Sequence, residues 1–303
     1  MDKNEIKQEL IRIVGNDAVL TDTLMRDHTS FRVGGPADFL VLPETDQHLR
    51  QVLGFCRREE IPFYLMGNGS NLLVGDGGYH GVIVKTRGMD SVTVARNTVV
   101  AEAGALLRKV AFEALAAERT GLEFASGIPG SIGGAVVMNA GAYDGEMKDV
   151  VESVTVLTEE GKYLSLANDE CEFGYRQSII QKNPWTVTRV NLRLRPGDYN
   201  SIKEKMDDLN RRRREKQPLN YPSAGSTFRR PKGYFAGKLI QDAGLRGFAI
   251  GGAQVSEKHT GFVINTGEAT ARDVRTLIAE VQRRVKASSG VELHTEVIMI
   301  GEP

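Results

Sequence analysis

The sequence is short of the groups that announce the commonest chemistries. Only two cysteines occur among 303 residues, Cys56 and Cys171, far apart and without CxxC spacing or histidine partners. They read as buried reduced thiols, which excludes a disulfide framework and a zinc site, and no metal is expected. Neither sign of charge is in excess: 39 Lys and Arg offset 39 Asp and Glu. No global field therefore draws the chain to nucleic acid or an anionic membrane, and any anion site must come from local clusters of Arg, Lys or backbone N–H groups. No apolar run is long enough to span a bilayer. The N-terminal MDKNEIKQELIRIVG lacks the unbroken apolar stretch of a signal peptide and reads instead as an amphipathic helix with Ile6, Leu10 and Ile13 on one face. A cytoplasmic protein without membrane insertion is the expectation. Neither GxxxxGK[ST] nor a complete GxGxxG fingerprint is present, which removes the P-loop and the Rossmann turn.

What remains is long enough for two or three compact domains, since single cores stop growing at roughly 250 to 300 residues. Strand-like runs at 39–42, 63–66 and 82–84 alternate with helical stretches, so the first third reads as α/β or α+β. Thr45 caps a helix carrying Leu49, Val52, Leu53 and Cys56 on one face. A second helical pattern, Gly104 to Arg119, has Leu107, Val110, Ala111, Ala114 and Leu115 in phase, with Gly121 placed to end it. The runs 151–157 and 185–194 read as half-buried strands. Pro196-Gly197-Asp198 marks the main boundary, after which Ser201 with Glu204 forms a capping-box pattern for a helix to about Lys216. Thr270 begins an amphipathic helix with Val274, Leu277, Ile278, Val281 and Val285 in phase, and 297–300 reads as a final strand.

Two glycine-rich segments carry the first functional signal. Gly67-Asn68-Gly69-Ser70-Asn71-Leu72 follows an apolar run and offers small residues whose N–H groups can approach a phosphate. Ser126 to Ala142 is longer and holds Gly127, Ile128, Pro129, Gly130, Ser131, Gly133, Gly134, Asn139 and Ala142. Small side chains over that length imply close approach of a backbone or a ligand; one such loop alone reads equally as a tight turn or packing site. Two in one half favour a dinucleotide clamped by backbone groups.

The segments 29–37 (TSFRVGGPA), 67–71 (GNGSN) and 127–130 (GIPG) resemble, in order, the FAD-binding half of the UDP-N-acetylenolpyruvoylglucosamine reductase family, and the resemblance extends from about Leu24 to Gly301. It implies an α+β fold: an FAD-binding domain of the vanillyl-alcohol-oxidase type in two subdomains, 1–88 and 89–197, plus a smaller α+β substrate-binding domain, 198–303. The implied activity is reduction of the enolpyruvyl group of UDP-N-acetylenolpyruvoylglucosamine to UDP-N-acetylmuramate, a peptidoglycan precursor, with non-covalent FAD and with NADPH as hydride donor. A monomer is expected, with weak dimerisation left open. The chain lacks the inserted tyrosine-bearing loop of the better-known branch and resembles the shorter second type.

Hydride addition to an enol ether conjugated to a carboxylate leaves enolate character that needs stabilisation and a proton. By resemblance, Arg176 is the active-site arginine that holds the carboxylate with its planar fork. Ser226 in PSAGSTF is the proton donor to the α-carbon, a poor acid at neutral pH but stronger than a carbanion-like centre requires. Glu296 in LHTEV hydrogen-bonds the developing enolate in its protonated form or orients the acid through a water. On residue chemistry alone, Arg176 reads as a surface arginine and Ser226 as a turn serine. Tyr175, Arg213 and His259 are the substrate-contact candidates; in the run Arg211 to Arg214 at most one or two side chains can point the same way. The competing readings are another vanillyl-alcohol-oxidase-type flavoenzyme, which would share the FAD loops but not the C-terminal motifs, and a non-catalytic nucleotide-sugar sensor.

Overall fold

The computed structural model describes residues 1–303. The chain divides into two compact units, each assembled from separate segments: 1–20, 39–68 and 82–213 in the first, 21–38, 69–81 and 214–303 in the second.

The first unit has two apolar cores. Helices α1 (Lys3–Val14) and α2 (Asp46–Arg58) bury Leu10, Val14, Leu49, Val52, Leu53 and Cys56 against Phe39, Val41, Val82 and Val84. Their starts are those the capping residues dictate: Asp2 accepts the Glu5 N–H, and Thr45 accepts the His48 N–H at 3.1 Å. Strand Phe63–Met66 pairs in parallel with 82–85, so the chain leaves Met66 directly into the first glycine loop.

The other core of this unit lies on a five-stranded antiparallel sheet with spatial order 163–167, 151–157, 186–193, 98–102, 92–95. Helices α3 (Leu107–Ala116) and α4 (Ile132–Val137) fall between its second and third strands in the chain and α5 (Tyr199–Lys216) after its last, and Leu107, Val110, Ile132, Val136, Ile202 and Met206 belong to that core. Three local expectations are corrected. Helix α3 begins at Leu107 rather than Gly104. It stops before Gly121: the Ala117 N–H returns to Glu113, and Glu118 turns left-handed at φ 58°. Helix α5 is capped by Asp198, not Ser201, because the Ser201 N–H and hydroxyl both donate to Asp198 Oδ1 at 2.9 Å. A carboxylate at a helix N-terminus satisfies an orphan N–H and also meets the positive end of the dipole.

The second unit packs α6 (Ala236–Asp242) and α7 (Ala271–Ser289) with a small antiparallel sheet, 249–250, 253–255 and 263–265. Strand 298–300 pairs in parallel with 72–74. The core gathers Phe31, Leu73, Phe228, Ile240, Val255 and Val263 around the apolar face of α7, which Thr270 and Asp273 start with a reciprocal capping box. Leu277 is fully buried in the middle of that face. Leu277→Ala is expected to cost about 2–5 kcal/mol through lost transfer energy and the cavity left behind, read as a lower urea midpoint at unchanged slope.

Candidate active site

In the first unit the two glycine-rich segments meet. The Asn68 amide donates to the Pro129 carbonyl, and a Cβ on Gly67 would overlap the Ser131 hydroxyl. Ser131, only 2 % exposed, caps α4 by accepting the Gly134 N–H. That cap lets a glycine-rich stretch form a helical turn and a half, helped by the Gly133 N–H donating to the Ala103 carbonyl at 2.9 Å. Propensity alone opposes a helix here; the cap and this packing override it. The N–H groups of Gly67, Asn68, Gly127 and Gly130 donate to no main-chain carbonyl. With no side chain at the glycines to hold an anion away, such a set fits the pyrophosphate of a dinucleotide such as FAD. Ala142 sits on a two-residue hairpin strand paired with 145–146.

Helix α5 braces the second of these segments. The Asn210 amide donates to the Ser126 hydroxyl at 3.1 Å, and a Cβ on Gly127 would press on Asn210 and Arg213. Of the four arginines, Arg211 and Arg212 pair with Asp208 on their own helix. Arg213 turns inward: it is half-buried, and desolvation lowers its pKa, offset in part by the nearby Tyr143 oxygen. Asn210 carries no signal in the sequence, because a polar residue in a charged helix reads as solvated.

Arg176 lies in a tight turn in which Gly174 and Gln177 exchange both main-chain hydrogen bonds, at 3.0 and 3.2 Å. Its backbone is left-handed, φ 54°, and its guanidinium stands 5.1 Å from the ring centroid of Tyr175, which is 55 % exposed. The turn is fastened to the end of α4: the Ser178 hydroxyl donates to the Val137 carbonyl at 2.7 Å and the Gln181 amide to the same carbonyl at 2.9 Å.

In the second unit three segments remote in sequence meet. The Glu296 N–H donates to the Thr227 carbonyl at 2.8 Å, which brings Glu296 within one peptide of Ser226. The Asn71 amide donates to the Glu296 carbonyl at 3.1 Å, and the Ile298 N–H returns to the Asn71 carbonyl at 3.0 Å. Gly69, Ser70, Asn71 and Leu72 thus belong with Ser226 and Glu296, whereas Gly67 and Asn68 belong with the first unit. Ser226 and Glu296 are both half-buried. Gly225, at φ 75°, makes the bend before Ser226, and Thr227 anchors it. Thr227 is fully buried, its hydroxyl accepts the Val263 N–H at 2.9 Å, and its own N–H donates to the Gly261 carbonyl. In sequence Thr227 reads only as a strand former. His259 packs edge-on against Phe262, and its Nδ1 accepts the Gly261 N–H at 3.1 Å. Burial lowers its pKa, so at neutral pH the ring is neutral with its proton on Nε2.

An FAD binding domain model matches residues 37–167, over the whole of both glycine-rich segments. The 4-ethylphenol oxidase of Gulosibacter chungangensis shares the fold at 16 % identity and a TM-score of 0.52, over 64 % of this chain and 42 % of that one. These define a flavin-binding α+β protein. The C-terminal domain model of UDP-N-acetylenolpyruvoylglucosamine reductase matches residues 217–300. The chain is 56 % identical over 278 residues to the UDP-N-acetylenolpyruvoylglucosamine reductase of Caldanaerobacter subterraneus subsp. tengcongensis, covering 92 % of each. It is 55 % identical over 283 residues to that of Clostridium perfringens, covering 93 % of each. The crystal structure of the Thermus caldophilus reductase superimposes with a TM-score of 0.78 at 37 % identity, over 91 % of this chain and 97 % of that one. The chain belongs to the UDP-N-acetylenolpyruvoylglucosamine reductase family.

Proposed function

We propose that this protein reduces the enolpyruvyl group of UDP-N-acetylenolpyruvoylglucosamine to the lactyl ether of UDP-N-acetylmuramate, with non-covalent FAD and NADPH. The observation that carries the reading is family membership over nine-tenths of the chain; Arg176, Ser226 and Glu296 take in it the roles that the resemblance implies. Bound FAD would supply hydride-transfer chemistry between NADPH and the terminal carbon of the substrate double bond. The chain's own residues do the rest. Arg176 holds the carboxylate bidentately, so that charge develops against a fixed cation. Ser226 delivers the proton to the α-carbon. Glu296 hydrogen-bonds the enolate oxygen or aligns Ser226 through a water.

The free N–H groups of Gly67, Asn68, Gly127 and Gly130 are the donors for the FAD pyrophosphate, and Gly69, Ser70, Asn71, Leu72, Ile128, Pro129, Ser131, Gly133, Gly134 and Ala142 are the further cofactor-lining residues of this reading; Asn139 is taken up below. Tyr175, Arg213 and neutral His259 contact the nucleotide sugar. The proposed three-part division at 88 and 197 accords in number with three separate apolar clusters, one mainly from the first ninety residues, one from 99–206 that takes in Ile202 and Met206 of α5, and one mainly from 224–297. The reaction belongs in the cytoplasm, where nucleotide sugars and NADPH are held, and as a step of peptidoglycan precursor synthesis it bears on cell shape and division. No helix is long and apolar enough to cross a membrane.

The cradle makes its own prediction. Gly67→Ala forces the Ser131 hydroxyl off the α4 N-terminus, and a lost cap is worth about 0.5–2 kcal/mol. FAD affinity of the apoprotein is expected to fall about 3- to 30-fold, and Ser131→Ala in the same chain should add little, because its hydroxyl is already displaced. Titration with FAD followed by flavin fluorescence checks this. For the activity itself, the test is a flavin spectrum in the purified protein together with NADPH oxidation that depends on UDP-N-acetylenolpyruvoylglucosamine.

A further inference from the structure

Asn139 sits in the second glycine-rich segment, where sequence groups it with the cofactor residues, yet its side chain is fully spent inside the protein. The residue is 1 % exposed. Its Nδ2 donates to Glu146 Oε2 at 2.7 Å and to the Gly174 carbonyl at 3.0 Å, and its Oδ1 accepts the Lys148 N–H at 2.9 Å. Both amide protons are used, so none is left for a phosphate. The Gly174 carbonyl also accepts the Gln177 N–H, so both its lone pairs are engaged. Gly174 and Gln177 close the turn that carries Arg176 in a left-handed conformation. A non-glycine residue stays left-handed only where its surroundings over-determine it.

We infer that Asn139 is the positioning residue for Arg176: it clamps the Gly174 carbonyl and thereby sets where the guanidinium fork stands. This rests on the reading of Arg176 as the carboxylate anchor. The residue type fits the task. Asn139 is itself left-handed, φ 42°, a conformation asparagine tolerates better than most side chains. Its amide carries the two donors and the acceptor that the site needs. Aspartate would keep the acceptor but set a carboxylate against Glu146 and a carbonyl; glycine would keep the backbone and remove the clamp.

The test uses Asn139→Gly in the FAD-loaded enzyme, alone and with Arg176→Ala. Hydrogen–deuterium exchange comes first, because it needs no substrate: amides of 174–181 should exchange at least about tenfold faster in Asn139→Gly, while those of α4 and of the 186–193 strand are unchanged. FAD affinity of the apoprotein and the rate of flavin reduction by NADPH should stay within about threefold. Reoxidation of the reduced enzyme by UDP-N-acetylenolpyruvoylglucosamine should slow about 10- to 100-fold, and adding Asn139→Gly to Arg176→Ala should change that rate less than about twofold. The inference is overturned if FAD affinity falls tenfold while the 174–181 amides stay protected, which makes Asn139 a cofactor ligand. It is equally overturned if the two substitutions multiply. Should Asn139→Gly not fold, Asn139→Ser, which keeps a short donor, carries the same exchange and affinity measurements. If wild-type enzyme consumes no NADPH with this substrate, the proposed function fails, and the exchange result still decides whether Asn139 holds the turn.

Discussion

Ser226→Ala is expected to slow reoxidation of the reduced enzyme by UDP-N-acetylenolpyruvoylglucosamine by about 10²- to 10⁴-fold, the range a positioned general acid contributes. Flavin reduction by NADPH should be unaffected, because no proton is delivered to carbon in that half of the cycle. The side chain is small, half-buried and outside the apolar core, so the loss should come without a loss of folding. Its setting explains why a serine can serve. Thr227 pins the segment through its buried hydroxyl and two main-chain bonds, so Ser226 is held in place rather than recruited. Stopped-flow flavin absorbance separates the two half-reactions. Reoxidation at the wild-type rate in Ser226→Ala would assign the proton to another group, and Glu296, whose N–H donates to the Thr227 carbonyl, would be next.

Arg176→Ala should cost about 10²- to 10⁴-fold in kcat/KM for the enolpyruvyl substrate, because each charge-assisted hydrogen bond to a carboxylate is worth about 1.5–3 kcal/mol and the fork makes two. Arg176→Lys should recover only part of this, since an ammonium restores charge but not the planar pair of donors. Both variants keep the Gly174 to Gln177 turn, whose closing hydrogen bonds are between main-chain groups. A fall in kcat and kcat/KM together would show that the arginine acts on developing charge; a rise in KM with kcat unchanged would show that it only binds. Steady-state kinetics on the two variants makes the distinction.

The parts of this molecule legible in the sequence are those written in local chemistry. Thr45 and Thr270 cap helices where their hydroxyls predict, and the apolar periodicity of α2 and α7 names their buried faces. The glycine loops at 67–71 and 127–131 announce a close approach, although glycine does not say to what; the structure answers that 67 and 131 approach each other. What stayed hidden depends on partners far along the chain. Helix α4 lies in a stretch whose glycines disfavour it and exists because Ser131 caps it and the Ala103 carbonyl takes the Gly133 N–H. Asp198 outcompeted Ser201 as the cap of α5, a choice between two acceptable residues that spacing could not make. Asn139 reads as a cofactor residue and Asn210 as a surface residue until Gly174 and Ser126 are brought to them. The roles of Arg176, Ser226 and Glu296 come from family likeness, because an arginine, a serine and a glutamate are each too common to identify a site by type.

The central claim is a reduction that adds one hydride and one proton across the enolpyruvyl double bond, and a single turnover tests it most directly. Enzyme reduced with one equivalent of NADPH under anaerobic conditions, then mixed with UDP-N-acetylenolpyruvoylglucosamine, should recover the oxidised flavin spectrum and yield a product heavier than the substrate by two hydrogens, formed in proportion to enzyme. A flavin that stays reduced in the presence of the substrate, with substrate mass unchanged, would contradict the assignment and leave a flavoprotein with another acceptor.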